Sequence, residues 1–161
     1  MPSKRTGTPS AKNEEWRRVG RQLSFALYSA SNRIIRLHRP LLEPLGLTYP
    51  QFLVMLALYE GAPRSVGDLG RVLGMDNGTL TPLLKRLETA GLVTRTRDSA
   101  DERRVLIDLT EAGQALREEA CAVPKKIETA CRLSNDELAA LRDTLNGLAL
   151  PRSGQPDSTP D

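Results

Sequence analysis

Two sets of side chains in this sequence could do chemistry. The first is polar and cationic: Asn77, Thr79, Thr81, Pro82, Lys85 and Arg86, continued downstream by Arg95, Arg103 and Arg104. Hydroxyls and amides reach phosphate oxygens and base edges, and Lys and Arg neutralise backbone charge. The series is therefore suited to double-stranded DNA. The second set is a row on an apolar segment, Ser24, Tyr28, Ile35 and His38. Its polar tips need partners once buried. Ser24 and His38 are 14 residues apart, or ~21 Å along one helix. The two can meet only across an antiparallel pairing of two copies. Neither set points to catalysis. Histidine occurs once, and the sequence carries no metal-ligand spacing and no glycine-rich phosphate loop. Neither an enzyme nor a metal or cofactor is expected.

The first set needs a helix to position it. Leu80, Leu83, Leu84 and Leu87 recur at i, i+3, i+4 and i+7 and mark one apolar face, with the polar series opposite. Asp76, Asn77 or Thr79 can cap the start, and Gly91 suits the position past the end. Pro82 costs little only in the first turn, which argues for a start between Asn77 and Thr79. Taken alone this is an ordinary amphipathic helix, and its neighbours change the reading. Upstream, Val66, Leu69, Val72 and Leu73 mark another helical face. Ser65 and Asp68 form a variant capping box ahead of it, and Gly74-Met75 makes a short turn after it. Helix, tight turn, helix is the helix-turn-helix order. Downstream, residues 92–97 and 103–109 alternate like strands around the turn chemistry of Asp98-Ser99-Ala100-Asp101-Glu102. Such a hairpin is a wing, and arginines at its base and tip suit a narrow minor groove.

The rest of the chain frames this module. A net charge of +3 is mild and proves nothing about nucleic acid. The charge is polarised, however: residues 1–40 are cationic apart from Glu14 and Glu15, and the C-terminal third is acidic. Residues 1–13 read as a flexible basic arm and 151–161 as a disordered tail. Between them, 14–150 read as one domain, with the DNA-reading module at 64–110 and dimerisation helices at 14–45 and 111–150. The first helix is expected from Glu14 or Glu15 to Arg39, with Leu23, Leu27, Ala30, Ile34, Leu37 and Leu41 as its core-facing stripe. Thr48-Tyr49-Pro50-Gln51 starts a helix largely buried through Phe52, Leu53, Leu56, Ala57 and Tyr59. Thr110 caps another, and Pro124 predicts a kink or break near Val123. Ser134 and Glu137 form a capping box before the stripe Leu138, Leu141, Leu145 and Leu148. The outer helices carry more apolar surface than the module can cover. They are expected to cover one another across a two-fold axis, setting two reading helices one DNA turn apart on a near-palindromic site. The fold class is mainly α with a small β-wing.

Cys121 and Cys131 give no disulfide framework. On a single helix their Cα atoms would be ~15 Å apart, too far to bridge. Reduced thiols, no apolar run of about 20 residues and no signal-peptide core segment together predict a cytoplasmic protein without a membrane partner.

With this pattern in hand, residues 22–150 resemble the MarR family of bacterial winged-helix homodimers. Asp101-x-Arg103 followed by Leu109-Thr110-Glu111-x-Gly113 matches the family's wing signature. Within the family the chain is similar to the organic hydroperoxide resistance regulators. The segments that carry this are Gln22-Leu23-Ser24-Phe25-Ala26-Leu27-Tyr28, Leu47-Thr48-Tyr49-Pro50-Gln51-Phe52 and Gly78-Thr79-Leu80-Thr81-Pro82-Leu83-Leu84-Lys85-Arg86. The resemblance implies that Arg103 enters the minor groove, oriented by Asp101, while Thr79, Thr81, Pro82, Lys85 and Arg86 face the major groove. It also implies a sensor pocket of Ser24, Tyr28, His38 and Tyr49. There Ser24 occupies the place of that branch's reactive cysteine, and His38 that of a common third tyrosine. A serine hydroxyl cannot become a sulfenic acid. Ser24 is then either an introduced replacement of the cysteine or the natural residue of a relative that answers another signal. Cys131, ahead of Cys121, is the candidate resolving thiol; the alternative is that both cysteines are inert.

The expected function is a DNA-binding repressor of the organic-peroxide stress response. The alternative is a repressor released by a small phenolic or aromatic ligand near Tyr28, His38 and Tyr49. A thiol peroxidase is disfavoured by the lone histidine and Ser24, and a protein-binding winged helix by Lys85, Arg86 and Arg103.

Overall fold

The computed structural model of the chain describes residues 18–148. The arm expected at 1–13, the tail at 151–161 and the first residues of the opening helix, 14–17, lie outside the described residues. The chain divides into two compact units, one ending at Pro124 and one beginning at Lys125.

In the first unit, helix α1 spans Leu23–Leu42 after a short 3-10 turn at Val19–Arg21. It starts later than the expected Glu14 or Glu15. Gln22 is extended, no side chain caps the helix and its first turn holds no acid. Arg18 and Arg21 instead stand beside the positive end of the helix dipole, which opposes extension in that direction. Pro40 does not end the helix, because it removes a single backbone bond and the Glu43 N–H still reaches the Arg39 carbonyl. The expected core-facing stripe is not a core within this chain. Leu23 is 64% exposed and Leu37 42% exposed, and only His38 and Leu42 are buried. Both lie at the C-terminal end, where the next helix packs.

That helix, α2 (Tyr49–Glu60), begins in the expected segment, with Thr48 as its cap and Pro50 as its second residue, one later than the first position expected for it. The side-chain oxygen of Gln51, Oε1, accepts from the Thr48 N–H at 2.9 Å and from its hydroxyl at 3.0 Å. Phe52, Val54, Met55, Ala57, Leu58 and Tyr59 are buried, so α2 is apolar nearly all round and forms the centre of the unit. A two-residue strand, β1 (Arg64–Ser65), follows. Then come α3 (Val66–Leu73), α4 (Asn77–Thr89), β2 (Val93–Arg97) and β3 (Val105–Leu109). The sheet is antiparallel in the order β1-β3-β2. Leu69, Leu80, Leu84, Leu87, Val93 and Ile107 close the core beneath it.

Helix α5 (Glu111–Ala115) is capped by Thr110, whose hydroxyl accepts the Gly113 N–H at 3.0 Å. Gly113 is required by close approach: an added Cβ would run into the Leu92 carbonyl oxygen. The same residue's carbonyl accepts the Tyr59 hydroxyl at 2.8 Å. Burial pushes that hydroxyl up to about 12, with Arg117 opposing the shift, so Tyr59 stays a proton donor. The chain interrupts at Leu116 and resumes as α6 (Arg117–Ala130), which runs through Pro124. The break expected near Val123 is therefore absent. Proline forfeits one bond there, whereas Leu116 ends a five-residue helix whose position is set by the Thr110 cap and the Gly113 contact.

In the second unit, α7 (Asn135–Asn146) starts at the expected capping box of Ser134 and Glu137. None of its residues is buried, and Leu141 and Leu145 are exposed. Among the described residues, no single helix is long and apolar enough to cross a membrane.

Candidate nucleic-acid interface

Helix α4 presents its polar series because its other face is anchored. Leu80, Leu83, Leu84 and Leu87 are all buried, which turns Asn77, Thr79, Thr81, Pro82, Lys85 and Arg86 outward. Asp76 caps the helix, its Oδ1 accepting the Thr79 N–H at 2.7 Å. That bond, with help from the Thr79 side chain, holds the Asp76 carboxyl below the usual carboxylate range. The start at Asn77 falls in the expected window, but the argument from Pro82 does not hold. Pro82 is the sixth helical residue, beyond the first turn. It is tolerated because it removes one bond, to the carbonyl of the solvent-facing Gly78.

Helix α3 sets the angle of α4. Ser65 Oγ accepts the Asp68 N–H at 3.1 Å and donates to Asp68 Oδ2 at 2.7 Å. Arg71 donates to the other carboxylate oxygen at 2.6 Å. The Ser65 hydroxyl, then Arg71, keep the Asp68 carboxyl below its ordinary value. At the turn, Gly74 takes a φ of 64°, and a Cβ on Gly70 would stand 2.7 Å from the Met75 carbonyl oxygen. Bare glycines let the two helices close up there.

The wing continues the same surface. Strands β2 and β3 pair from Val93↔Leu109 to Arg97↔Val105, and the tip, 98–104, lies beyond the last pair. Asp101 Oδ1 accepts the Arg103 backbone N–H at 3.0 Å, and the Arg104 N–H donates to the Asp101 carbonyl. Asp101 thus orders the backbone of Arg103. A cleft of about 600 Å³ joins Asn77 and Thr81 of α4 to Arg95, Arg103 and Arg104 of the wing, with Asp68 and Arg71 on its α3 wall.

The cations are not equivalent. Arg95 is half-buried, 3.8 Å from Glu88, and its Nε is buried without a partner among the described residues. Arg104 lies 3.7 Å from Asp68 and 3.9 Å from Asp98. Among the described residues, no carboxylate comes within ion-pair distance of Lys85, Arg86, Arg97 or Arg103. Arg71 and Arg97 were not among the expected residues. Arg97 was legible, since it shares Arg95's strand face; Arg71 was legible only as the i+3 partner of Asp68.

The second expected set is divided. His38 is 6% exposed and meets Tyr49 edge-on at 4.6 Å between ring centres, with Phe52 at 5.9 Å. His38 Nδ1 lies 2.9 Å from the Ile34 carbonyl oxygen and donates to it. A cavity of about 570 Å³ opens beside Tyr49, bounded by Ile35, Arg36, Arg39, Leu42 and Leu47. Within one copy of the chain, Ser24 and Tyr28 lie apart from it. Both are exposed, Tyr28 by 67%, and Tyr28 is ~15 Å along α1 from His38 by the helical rise. Cys121 is exposed and Cys131 half-buried, both as free thiols. Among the described residues, no group of three or more His, Cys, Asp or Glu side chains converges to hold a metal.

These elements, in this order and with this sheet, define a winged helix-turn-helix protein. The family model described as transcriptional regulator SarA/Rot matches residues 36–120. The organic hydroperoxide resistance transcriptional regulator of Bacillus subtilis is 44% identical over 124 residues, which cover 77% of this chain and 84% of that protein. AbfR of Staphylococcus epidermidis, solved in its reduced form bound to DNA, is 36% identical with a TM-score of 0.70. That match covers 84% of this chain and 94% of AbfR. A mutant MarR of E. coli complexed with operator DNA is 31% identical with a TM-score of 0.71, over 77% of this chain and 91% of MarR. The chain belongs to the MarR/SarA-type family of winged-helix transcriptional regulators. It is a regulator of transcription, as these relatives are, and they are not enzymes.

Proposed function

We propose that this regulator is a homodimeric repressor that reads a near-palindromic DNA duplex. The observation that carries the reading is the outward face of α4. There Thr79, Thr81, Lys85 and Arg86 are exposed, with no carboxylate paired to either cation among the described residues. Asn77, Thr79, Thr81 and Pro82 meet base edges in the major groove, Lys85 and Arg86 hold phosphates, and Arg103 enters the adjoining minor groove. The AbfR and MarR structures, both DNA complexes, support this assignment. The exposed apolar stripes of α1 and α7 supply the surface for a second copy. The test is selection from random-sequence duplexes by the wild-type protein. Two inverted half-sites centred about 10 base pairs apart are expected. Enrichment of no motif, or of an unpaired half-site, would refute the reading.

The signal is assigned to the organic-peroxide response, on the 44% identity to the Bacillus regulator of that name. With Ser24 in place of the sensing thiol, the chain as it stands keeps its DNA-competent form when peroxide is added. Ser24→Cys should then confer release from the selected duplex by an organic hydroperoxide, and Cys131→Ser in that background should remove any reversible disulfide. The cavity beside Tyr49 favours a second reading, release by a small aromatic ligand. Indifference of Ser24→Cys to hydroperoxide would favour that reading over the first.

A further inference from the structure

Arg104 stands in a different electrostatic position from Arg103, its neighbour at the wing tip. Its guanidinium lies between two carboxylates, Asp68 on α3 and Asp98 at the foot of the tip. The last β2–β3 pair is Arg97↔Val105, and β1 meets β3 only as far as Leu106. Residues 98–104 therefore have no backbone ladder to the helices. Within the cleft the side-chain tie from tip to α3 is Arg104 to Asp68. Asp68 is itself held in place: Ser65 donates to one of its oxygens and Arg71 to the other. A carboxylate fixed on a helix start is a firm post for a tip that has no backbone bond to the helices. Arg103, which has no ion pair among the described residues, is the side chain that such a post would aim.

We infer that Arg104 is a positioning residue: through Asp68 it braces the wing tip against α3 and so sets where Arg103 meets the duplex. This rests on the DNA reading above and narrows it. The opposing view is that Arg104 contacts a phosphate and Asp68 is only an acid that weakens binding. The two differ in sign and in salt dependence. A phosphate contact contributes about one unit to the slope of log affinity against log salt, whereas a brace contributes none. Exposed ion pairs are individually weak, so the effect on affinity is bounded at about twofold to fivefold.

The experiment measures binding to the duplex selected by the wild-type protein, over a range of salt, for Arg103→Gln, Arg104→Gln, Asp68→Asn and their pairwise combinations. Asn at position 68 keeps an acceptor for Ser65, and a thermal melt of each variant checks folding. Arg103→Gln should lower the slope by about two, one for each protomer of the dimer on the duplex. Arg104→Gln should weaken binding about twofold to fivefold with the slope unchanged. Asp68→Asn should weaken it equally, with no further loss in the double variant. Arg103→Gln should also cost less in the Asp68→Asn background, because an unaimed arginine has less to lose. A slope lowered by Arg104→Gln, additive losses, or tighter binding by Asp68→Asn would overturn the brace and leave the DNA reading standing. If the wild-type protein selects no duplex, both fall together.

Discussion

Helices α4 and α1 are built on the same plan and end in opposite situations. Each has apolar residues at helical spacing, and each carries polar chemistry on another face. On α4 the apolar row is fully buried and the cations look outward. On α1 the apolar row is itself exposed or half-buried, and the buried side chains, near its end, are His38 and Leu42. Periodicity therefore identifies a face but not what covers it. On the proposed reading, what is left uncovered sets the kind of partner: phosphate for Lys85 and Arg86, another apolar surface for Leu23 and Leu37. The ends differ as well, since α4 is capped by Asp76 and α1 by no side chain.

The contrast can be tested from its strongest consequence downward. Leu84→Ala empties a site with no exposure and should cost about 3 kcal/mol by chemical denaturation. Leu37→Glu should leave that unfolding energy nearly unchanged when measured on the monomer, while shifting sedimentation toward the monomer. Equal losses for the two would erase the distinction between covered and uncovered rows. Gly113→Ala should cost about 2 kcal/mol, because the backbone of Leu92 has no room to give; a melt within a degree of wild type would show that the approach relaxes. Arg103→Ala should weaken binding to the selected duplex at least about tenfold, or ~1.4 kcal/mol, with stability unaltered. Unchanged affinity would count against the wing.

The smallest expected effects are at the caps. Asp76→Ala should lower the melting temperature, and Gln22→Asp should raise it by giving α1 the cap it lacks. Both Asp76 and Asp68 have folded-state carboxyls held below their ordinary value. Their contribution is complete at pH above the unfolded carboxylate range and is lost as pH falls through the lower folded value. Acid should thus loosen the helix-turn-helix before α1. Exchange of backbone amides at falling pH would register the order, and simultaneous loosening would contradict it.

The helix-turn-helix and wing were legible because their signals are local. Ser65 with Asp68, Asp76 with Thr79, the leucine spacing of α4 and the turn at Asp98 to Glu102 all act within a few residues of themselves. Strand β1 was not legible: Arg64 and Ser65 become a strand only by meeting Ile107 and Leu106, some forty positions on. The break at Leu116 in place of Val123 has the same origin, since Gly113 is locked to Leu92 and Tyr59 by the tertiary fold. Among the site residues, the exposed face of α4 was foreseen one side chain at a time. The meeting of His38 with Tyr49 and Phe52 needed α1 and α2 to be packed together.

By itself, the order of amino acids determined which segments coil, where they are capped and which faces carry charge, because those preferences are settled between near neighbours. Only the folded chain decided which apolar faces are covered, that Arg104 is bracketed by two carboxylates while Arg103 is not, and that His38 is buried against Tyr49 and Phe52. Burial and ion pairing depend on atoms brought close from distant parts of the chain, and no local spacing encodes that distance.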